Sequence, residues 1–298
     1  MSSSGRLIVT GASGRLAQFV IQALLDTHKV PPSNIIAVSR SVDKLADLKA
    51  KGIDVRAGDL DDPNSLKAAF AGGERVLLIS TMDFEKIQIH LENGIREAQK
   101  AGLKHVVVTG VVTQPANLKP FHTKLLAVEE TLKKTSGITY TVVGFNLWIE
   151  SYLEWLQGAI ATGIYYTTRV SGKAAYGTRA DFAKACAAAL ARNSMTNAKF
   201  DITGPEAIDR RQVAAILTKE LSLAKPIEVK EISDDQLLVL LTDAKVPEIF
   251  ARFMVAMDRT ITDGNYSLVG KGFYELTGTQ PESFEAFVAR NKASYAPK

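Results

Sequence analysis

The chain has a single cysteine, Cys186. No intrachain disulfide can form, so nothing ties the fold to an oxidising compartment. Cys186 sits in the small-residue stretch Ala183-Lys-Ala-Cys-Ala-Ala-Ala-Leu190, which reads as a packed helix and gives the thiol a buried, structural place. Histidine is sparse, at four residues. His28, His90, His105 and His122 are scattered, with no metal-ligand spacing, and no metal is expected. No apolar run approaches the ~18 residues that would suggest a membrane span. The opening Met1-Ser-Ser-Ser-Gly-Arg6 lacks the charged, apolar and small regions of a signal peptide, so a cytoplasmic location with no membrane partner is expected. Basic clusters are absent too: Lys133-Lys134 and Arg210-Arg211 are isolated pairs, and the net charge is only +4 over 298 residues. That excludes the charge pattern of a nucleic-acid binder. There is no Gly-x-Ser-x-Gly elbow of the hydrolase kind. No linker rich in proline, glycine or serine divides the chain, and no internal repeat is present.

What is present is an alternation. Apolar, β-rich runs occur at 7–10, 35–39, 53–56, 76–80, 105–109 and 139–143, and helical patterns lie between them. In the first, Leu16, Phe19, Val20, Ala23 and Leu24 recur at helical spacing. Asp62-Pro63 reads as an N-cap followed by proline at the first helical position. Further helices are expected over 87–101 and 120–135. Val76-Leu-Leu-Ile79 and Val106-Val-Val108 are apolar at every position, as central parallel strands buried on both faces must be. The pattern predicts an α/β fold with a doubly wound parallel sheet. After about residue 145 it loosens. Helices are expected over 150–161, 179–192 and 210–221, the last capped by Asp209, with a strand over 199–203 and a mostly helical tail over 233–287. The expected division is therefore a doubly wound sheet domain over 1–145 and a smaller, mainly helical lobe over 146–298. The strand near 199–203 is a candidate to return to the main domain.

The segment Gly11-Ala12-Ser13-Gly14-Arg15-Leu16-Ala17 follows the first strand and opens the first helix. A dinucleotide pyrophosphate needs this geometry. The first glycine permits the tight turn, a missing side chain lets the backbone approach, and the helix N-terminus offers unpaired N–H groups. Residues 11 to 16 are expected to hold the phosphates. At the end of the second strand an acidic residue would favour NAD through the ribose 2′-hydroxyl. This chain has Arg40 there, flanked by Ser39 and Ser41. A guanidinium suits a 2′-phosphate, and Arg15 adds a second charge, so NADP(H) is the expected cofactor. Asp59 and Leu60 follow the third strand near the expected adenine position; Asp59 either accepts from the exocyclic amine or caps the next helix. Ser80, Thr81 and Met82 end the fourth strand, and Gly110 and Val111 the fifth, all expected to line the groove.

Taken together, these residues resemble the NmrA-like group of atypical short-chain dehydrogenases/reductases, and within it the NAD(P)H:quinone oxidoreductases and triphenylmethane-dye reductases. The resemblance runs through Val9-Thr-Gly-Ala-Ser-Gly14, Val38-Ser-Arg40, Gly58-Asp-Leu60, Ser136-Gly-Ile-Thr-Tyr-Thr141, Glu150-Ser-Tyr152, Arg179-Ala-Asp181, Ile202-Thr-Gly-Pro205 and Leu276-Thr-Gly278. It implies a Rossmann domain, a small C-terminal lobe and a substrate cleft between them. Typical short-chain dehydrogenases carry Tyr-x-x-x-Lys, with tyrosine as proton donor. Here Lys124 matches the lysine, but Pro120 stands at the tyrosine position and has no proton to give. Many relatives carry Arg-Pro or Arg-Asn after the sixth strand, where this chain has Gly144-Phe145-Asn146.

A quinone suits such a site, because reduction gives an aromatic product and needs less acid catalysis than a ketone. Positioning then supplies most of the rate. The expected activity is direct, flavin-independent hydride transfer from NADPH to a quinone-like or conjugated small molecule, by a monomer or homodimer. Lys124 is expected at the nicotinamide ribose. Phe145 and Asn146 are expected to line the nicotinamide pocket, with Asn146 otherwise forming a turn. Tyr152 either donates to the acceptor oxygen or packs in the core. Trp148, Trp155, Tyr165 and Tyr166 offer an aromatic wall, and His122 is expected to be exposed. The alternative function is a non-catalytic NADP(H) sensor of the NmrA type, since fold does not determine function.

Overall fold

The computed structural model describes residues 5–112, 120–194 and 196–297. Six strands, β1 (Leu7–Val9), β2 (Ile35–Ser39), β3 (Asp54–Ala57), β4 (Arg75–Leu78), β5 (His105–Val111) and β6 (Thr139–Phe145), alternate with helices α1 (Arg15–Asp26), α2 (Ala46–Ala50), α3 (Pro63–Phe70), α4 (Ile87–Lys100) and α5 (Pro120–Lys134). The strands are parallel, in the order β3-β2-β1-β4-β5-β6. Every residue of β2, β4 and β5 is buried, as central parallel strands covered on both faces are, including the polar Ser39, Arg75, His105 and Thr109. The pleat sends Val76 and Leu78 to one face and Leu77 to the other. On the first face they meet Leu66, Leu91 and Leu125 of α3, α4 and α5; on the second, Leu77 meets Val20 of α1. Asp62 caps α3, accepting from Asn64 N at 3.2 Å with Pro63 in the first turn.

The remaining elements are α6 (Ile149–Trp155), α7 (Gln157–Thr162), β7 (Ile164–Thr167), β8 (Lys173–Ala174), α8 (Arg179–Ala191), β9 (Ala198–Ile202), β10 (Ile208–Asp209), α9 (Arg210–Glu220), β11 (Glu228–Glu231), α10 (Asp234–Asp243), α11 (Glu248–Thr262), α12 (Gly272–Thr277), α13 (Phe284–Arg290) and α14 (Lys292–Tyr295). The chain crosses back before it finishes. β9 joins the main sheet beside β6, in register from Thr141 opposite Ala198 to Phe145 opposite Ile202. α8 lies against α1, with Phe182, Ala183 and Cys186 in the core under that face, and Phe273 of α12 joins them. Thus more of the C-terminal half belongs to the sheet domain than the strand near 199–203 alone. Burial holds the Cys186 thiol far above its ordinary pKa, so it is inert.

The second lobe has its own core, in which Ile149, Leu153, Ile160, Val213, Leu217, Ile261 and Phe284 are buried. Two short sheets brace it: β8 pairs antiparallel with β10, and β7 pairs parallel with β11. The single helix expected over 150–161 is two. Leu156, at φ −88° and ψ 2°, leaves helical geometry between α6 and α7. The Gln157 side chain donates to the Leu153 carbonyl at 3.2 Å across that break. No helix among the described residues is long and apolar enough to cross a membrane.

Candidate functional site

The turn between β1 and α1 has the backbone the glycines allow. Gly11 adopts φ +63°, and Gly14 N–H closes onto the Gly11 carbonyl at 2.8 Å. A Cβ on Gly14 would stand 3.1 Å from that same carbonyl oxygen. Gly14 is also the N-cap of α1, which no side chain caps and whose first turn holds no acidic residue. Gln18 N–H is bonded to the Gly14 carbonyl at 3.1 Å, so the three N–H groups before it have no carbonyl of the helix to reach. An uncapped helix start with a glycine-lined approach fits an anion such as a pyrophosphate. Gly11, Ser13, Gly14 and Arg15 are exposed there, whereas Ala12 and Leu16 are buried and present backbone only. The Ala12 N–H is held by the Val38 carbonyl at 2.9 Å, and its own carbonyl by Gln18 Nε2 at 2.5 Å.

A serine chain joins this turn to the end of β2. Ser39 Oγ donates to Ser13 Oγ at 3.0 Å and accepts from Ser41 N at 3.1 Å. Arg40 lies between the two bonded serines, is exposed, and makes no ion pair among the described residues; the same holds for Arg15. Two guanidinium-bearing residues therefore flank the phosphate turn without a carboxylate partner.

Threonines order the groove floor. Thr10 Oγ1 donates to the Leu77 carbonyl at 2.9 Å and accepts from Ile79 N at 3.1 Å, latching β1 to β4. Thr109 Oγ1 donates to Ser80 Oγ at 3.0 Å and accepts from Ser80 N at 2.8 Å, latching β4 to β5. Gly110 and Val111 follow and are buried; a Cβ on Gly110 would stand 2.8 Å from Val142 Cγ1. Asp59 does not cap α3, since Asp62 does. Its carboxylate instead accepts from Asp61 N at 3.0 Å, which leaves it half-buried beside the groove. Leu60 is buried, and its carbonyl accepts from Asn93 Nδ2 at 2.8 Å. Thr81 Oγ1 meets His90 Nδ1 at 2.9 Å, and the far side of that imidazole stands 3.4 Å from Asp61. Lys86 pairs with Asp61 at 2.7 Å and holds its carboxyl below the usual carboxylate range. Met82 is 81% exposed at the rim.

At the far end of the groove, Lys124 Nζ donates to the Phe84 and Glu85 carbonyls, each at 3.0 Å, and pairs with the Glu85 carboxylate at 2.9 Å. It is brought to the loop after β4 that contains Thr81 and Met82. Phe145 stacks on Phe182 with ring centroids 4.8 Å apart. Asn146 is buried and both ends of its amide are engaged: Nδ2 donates to the Tyr266 carbonyl at 3.0 Å, and Oδ1 accepts from Leu147 N at 2.8 Å. It shapes the exit from β6 rather than offering its amide to an acceptor. Tyr266 also bonds His122 Nε2 through its hydroxyl at 2.9 Å, so His122, expected to be exposed, is buried. The partner that buries it lies 144 positions away, and nothing in the local sequence around His122 announces it.

The family model described as the NmrA-like family matches residues 3–288. The chain belongs to the NmrA-like family. Quinone oxidoreductase 2 of Escherichia coli (strain K12) is 30% identical over 275 residues, covering 91% of this chain and 93% of the relative. The NAD(P)H azoreductase of Xenophilus azovorans is 25% identical, covering 97% and 99%. The crystal structure of Citrobacter sp. triphenylmethane reductase complexed with NADP(H) superposes with a TM-score of 0.87 at 29% identity, covering 96% and 99%. These relatives carry the names of reductases, in line with the resemblance noted from the motifs.

In this NmrA-like chain the proton-donor question also turns on Tyr152. Its ring packs on Tyr176, with centroids 4.5 Å apart, and its hydroxyl meets that of Tyr165. Burial, with Tyr152 beside it, pushes the Tyr165 hydroxyl well above the ordinary tyrosine value. Of the two roles expected for Tyr152, the structure has the core one: the residue is buried and its hydroxyl is occupied by Tyr165. The aromatic wall also divides. Trp148 packs against the stacked Phe145 and Phe182, under the Arg179 guanidinium, which lies 4.7 Å from its ring. Trp155, Tyr165 and Tyr166 line a cavity of the second lobe together with Tyr152.

Proposed function

We propose that this chain is a flavin-independent, NADPH-dependent reductase that passes a hydride to a quinone-like or conjugated small molecule. The observation that carries this reading is the uncapped start of α1 bonded, through Ser13 and Ser39, to the strand end that bears Arg40. The turn at Gly11–Gly14 would hold the pyrophosphate, and Arg40 with Arg15 the 2′-phosphate. Asp59 lies toward the adenine, while Ser80, Thr81, Met82, Gly110 and Val111 line the path to the nicotinamide. Bound NADPH supplies the hydride from its nicotinamide ring.

The chain's own part is to place and shield. Lys124 exchanges the Glu85 carboxylate for the ribose hydroxyls. Phe145, pinned on Phe182, forms the apolar back wall. Asn146 acts by fixing the β6 exit against Tyr266. With Pro120 at the usual tyrosine position and Tyr152 occupied by Tyr165, no side chain is assigned as an obligate acid. A quinone tolerates this, because its reduced oxygen draws its proton from water without a high barrier. The names of the relatives, quinone oxidoreductase 2 and NAD(P)H azoreductase, support the same acceptor class.

The test is NADPH oxidation followed optically with purified, flavin-free protein and a panel of quinones and dyes. Enzyme-dependent oxidation with at least one quinone is expected. Tight NADPH binding with no oxidation across the panel would instead make the protein a redox sensor.

A further inference from the structure

The second lobe contains a cavity of about 530 Å³ between α6, α7 and β7 on one side and α10 and α11 on the other. All its lining residues come from positions 152–166 and 237–261, and none from β1 to β6. No residue assigned to the cofactor groove lines it. Protein interiors seldom leave voids much larger than a water molecule, and this volume falls in the range of small-molecule sites.

Its chemistry is one-sided. Tyr152, Trp155, Tyr165 and Tyr166 present aromatic groups on one wall, and Leu237, Leu241, Met254 and Ile261 are among the aliphatic groups facing them. The chain carries 36 lysines and arginines, yet among the described residues none lines the cavity, and the charged ones that do are Glu154 and Asp258. Asp258 is already committed. It accepts from Thr167 Oγ1 at 3.0 Å, Thr168 N at 2.7 Å and Thr168 Oγ1 at 2.6 Å, and pairs with the fully buried Arg210 at 2.8 Å. It makes a rigid, charge-balanced floor. Glu154, exposed at the rim, sets the sign at the mouth.

We propose that this cavity is a binding site for an aromatic small molecule that is uncharged or cationic, and that it rejects anions of the same shape. Aromatic walls supply area and can face a cation; a carboxylate rim with no balancing lysine or arginine repels a carboxylate or sulfonate. The site does not depend on the reductase reading, because no cofactor-groove residue enters it.

The experiment is a fluorescence titration of the full chain, with and without saturating NADPH, using N-phenyl-1-naphthylamine and 8-anilinonaphthalene-1-sulfonate. The two probes share their ring systems and differ by a sulfonate. One site per chain is expected, at least about tenfold tighter for the uncharged amine, and undisturbed by NADPH. Ala244→Trp, which places an indole at an exposed lining position, should weaken the amine about tenfold or more and leave NADPH affinity unchanged. Glu154→Lys should narrow or invert the preference between the probes. Equal or tighter binding of the sulfonate to the unaltered protein overturns the proposal, as does displacement of the amine by NADPH. So does unchanged amine affinity in Ala244→Trp. If Ala244→Trp also loses NADPH binding, Glu154→Lys decides alone, and an unchanged probe preference there overturns the proposal. Quinone turnover enters none of these readouts, so the reductase reading stands or falls separately.

Discussion

Ser39 Oγ donates to Ser13 Oγ at 3.0 Å, and with the bond from the Ala12 N–H to the Val38 carbonyl it sets the phosphate turn beside the strand end that carries Arg40. The two serines are 26 positions apart. Their contact makes the Arg40 guanidinium part of the same site as the helix start. Arg40→Ala should weaken NADPH binding by about 1.5–3 kcal/mol, roughly tenfold to a hundredfold, and leave NADH binding nearly unchanged. Calorimetric titration of both cofactors measures this. Equal losses for the two would separate Arg40 from the 2′-phosphate.

Lys124 offers a second test because its partner is known. Glu85 is 92% exposed, so Glu85→Gln removes the carboxylate without disturbing the core. If Lys124 moves to the ribose, Lys124→Met should lower kcat/KM for NADPH by about a hundredfold, and Lys124→Arg should recover part of it. Glu85→Gln should leave kcat/KM within about twofold or raise it. Steady-state kinetics of the three variants decide; wild-type kinetics in Lys124→Met would remove the lysine from the site.

His105 predicts a pH dependence of stability. Its two ring nitrogens meet Thr139 Oγ1 at 2.8 Å and Thr141 Oγ1 at 3.0 Å. Burial, with Arg75 and Arg192 adding positive charge, lowers its pKa from 6.5 to about 4. The unfolded chain therefore binds the proton first as pH falls. The contribution of His105 is complete above pH 6.5 and is lost as pH falls toward 4, by about 3 kcal/mol in all. Urea unfolding across that window should show the slope, and His105→Gln should flatten it.

The pair of Arg210 and Asp258 should matter far more than the surface pairs. Arg210 is fully buried and also donates to the Gly172 carbonyl at 2.8 Å. Asp258→Asn strands that charge and should cost about 3–5 kcal/mol. Glu248→Gln, which breaks an exposed bridge to Arg252, should cost less than about 1 kcal/mol. Denaturant midpoints for the two variants test the contrast.

The parts legible in the sequence were those with a local signature. The middle of β5, Val106-Val-Val108, is apolar at every position, so its place at the sheet centre follows from composition. Gly11 and Gly14 stand at a strand–helix junction, where only one geometry serves them. The return of the chain to the sheet was only partly legible. α8 is rich in alanine on all sides, so no single face marks what it packs against, and its contact with α1 comes from sequence far away. The break at Leu156 carries no proline or glycine. His122 and Asn146 both owe their surroundings to Tyr266, more than a hundred positions along the chain. Residues whose environment is made by distant partners are the ones whose roles changed.

The central claim is hydride transfer from NADPH, directly and without flavin. Single-turnover reduction of a quinone by NADPH deuterated at nicotinamide C4, in flavin-free protein, tests it most directly. The account predicts NADPH loss at a rate set by the protein, slowed by a primary isotope effect on the deuterated face, with Lys124→Met slower still. Bound NADPH that persists unchanged in the presence of every quinone, or oxidation that appears only when flavin is added, would contradict it.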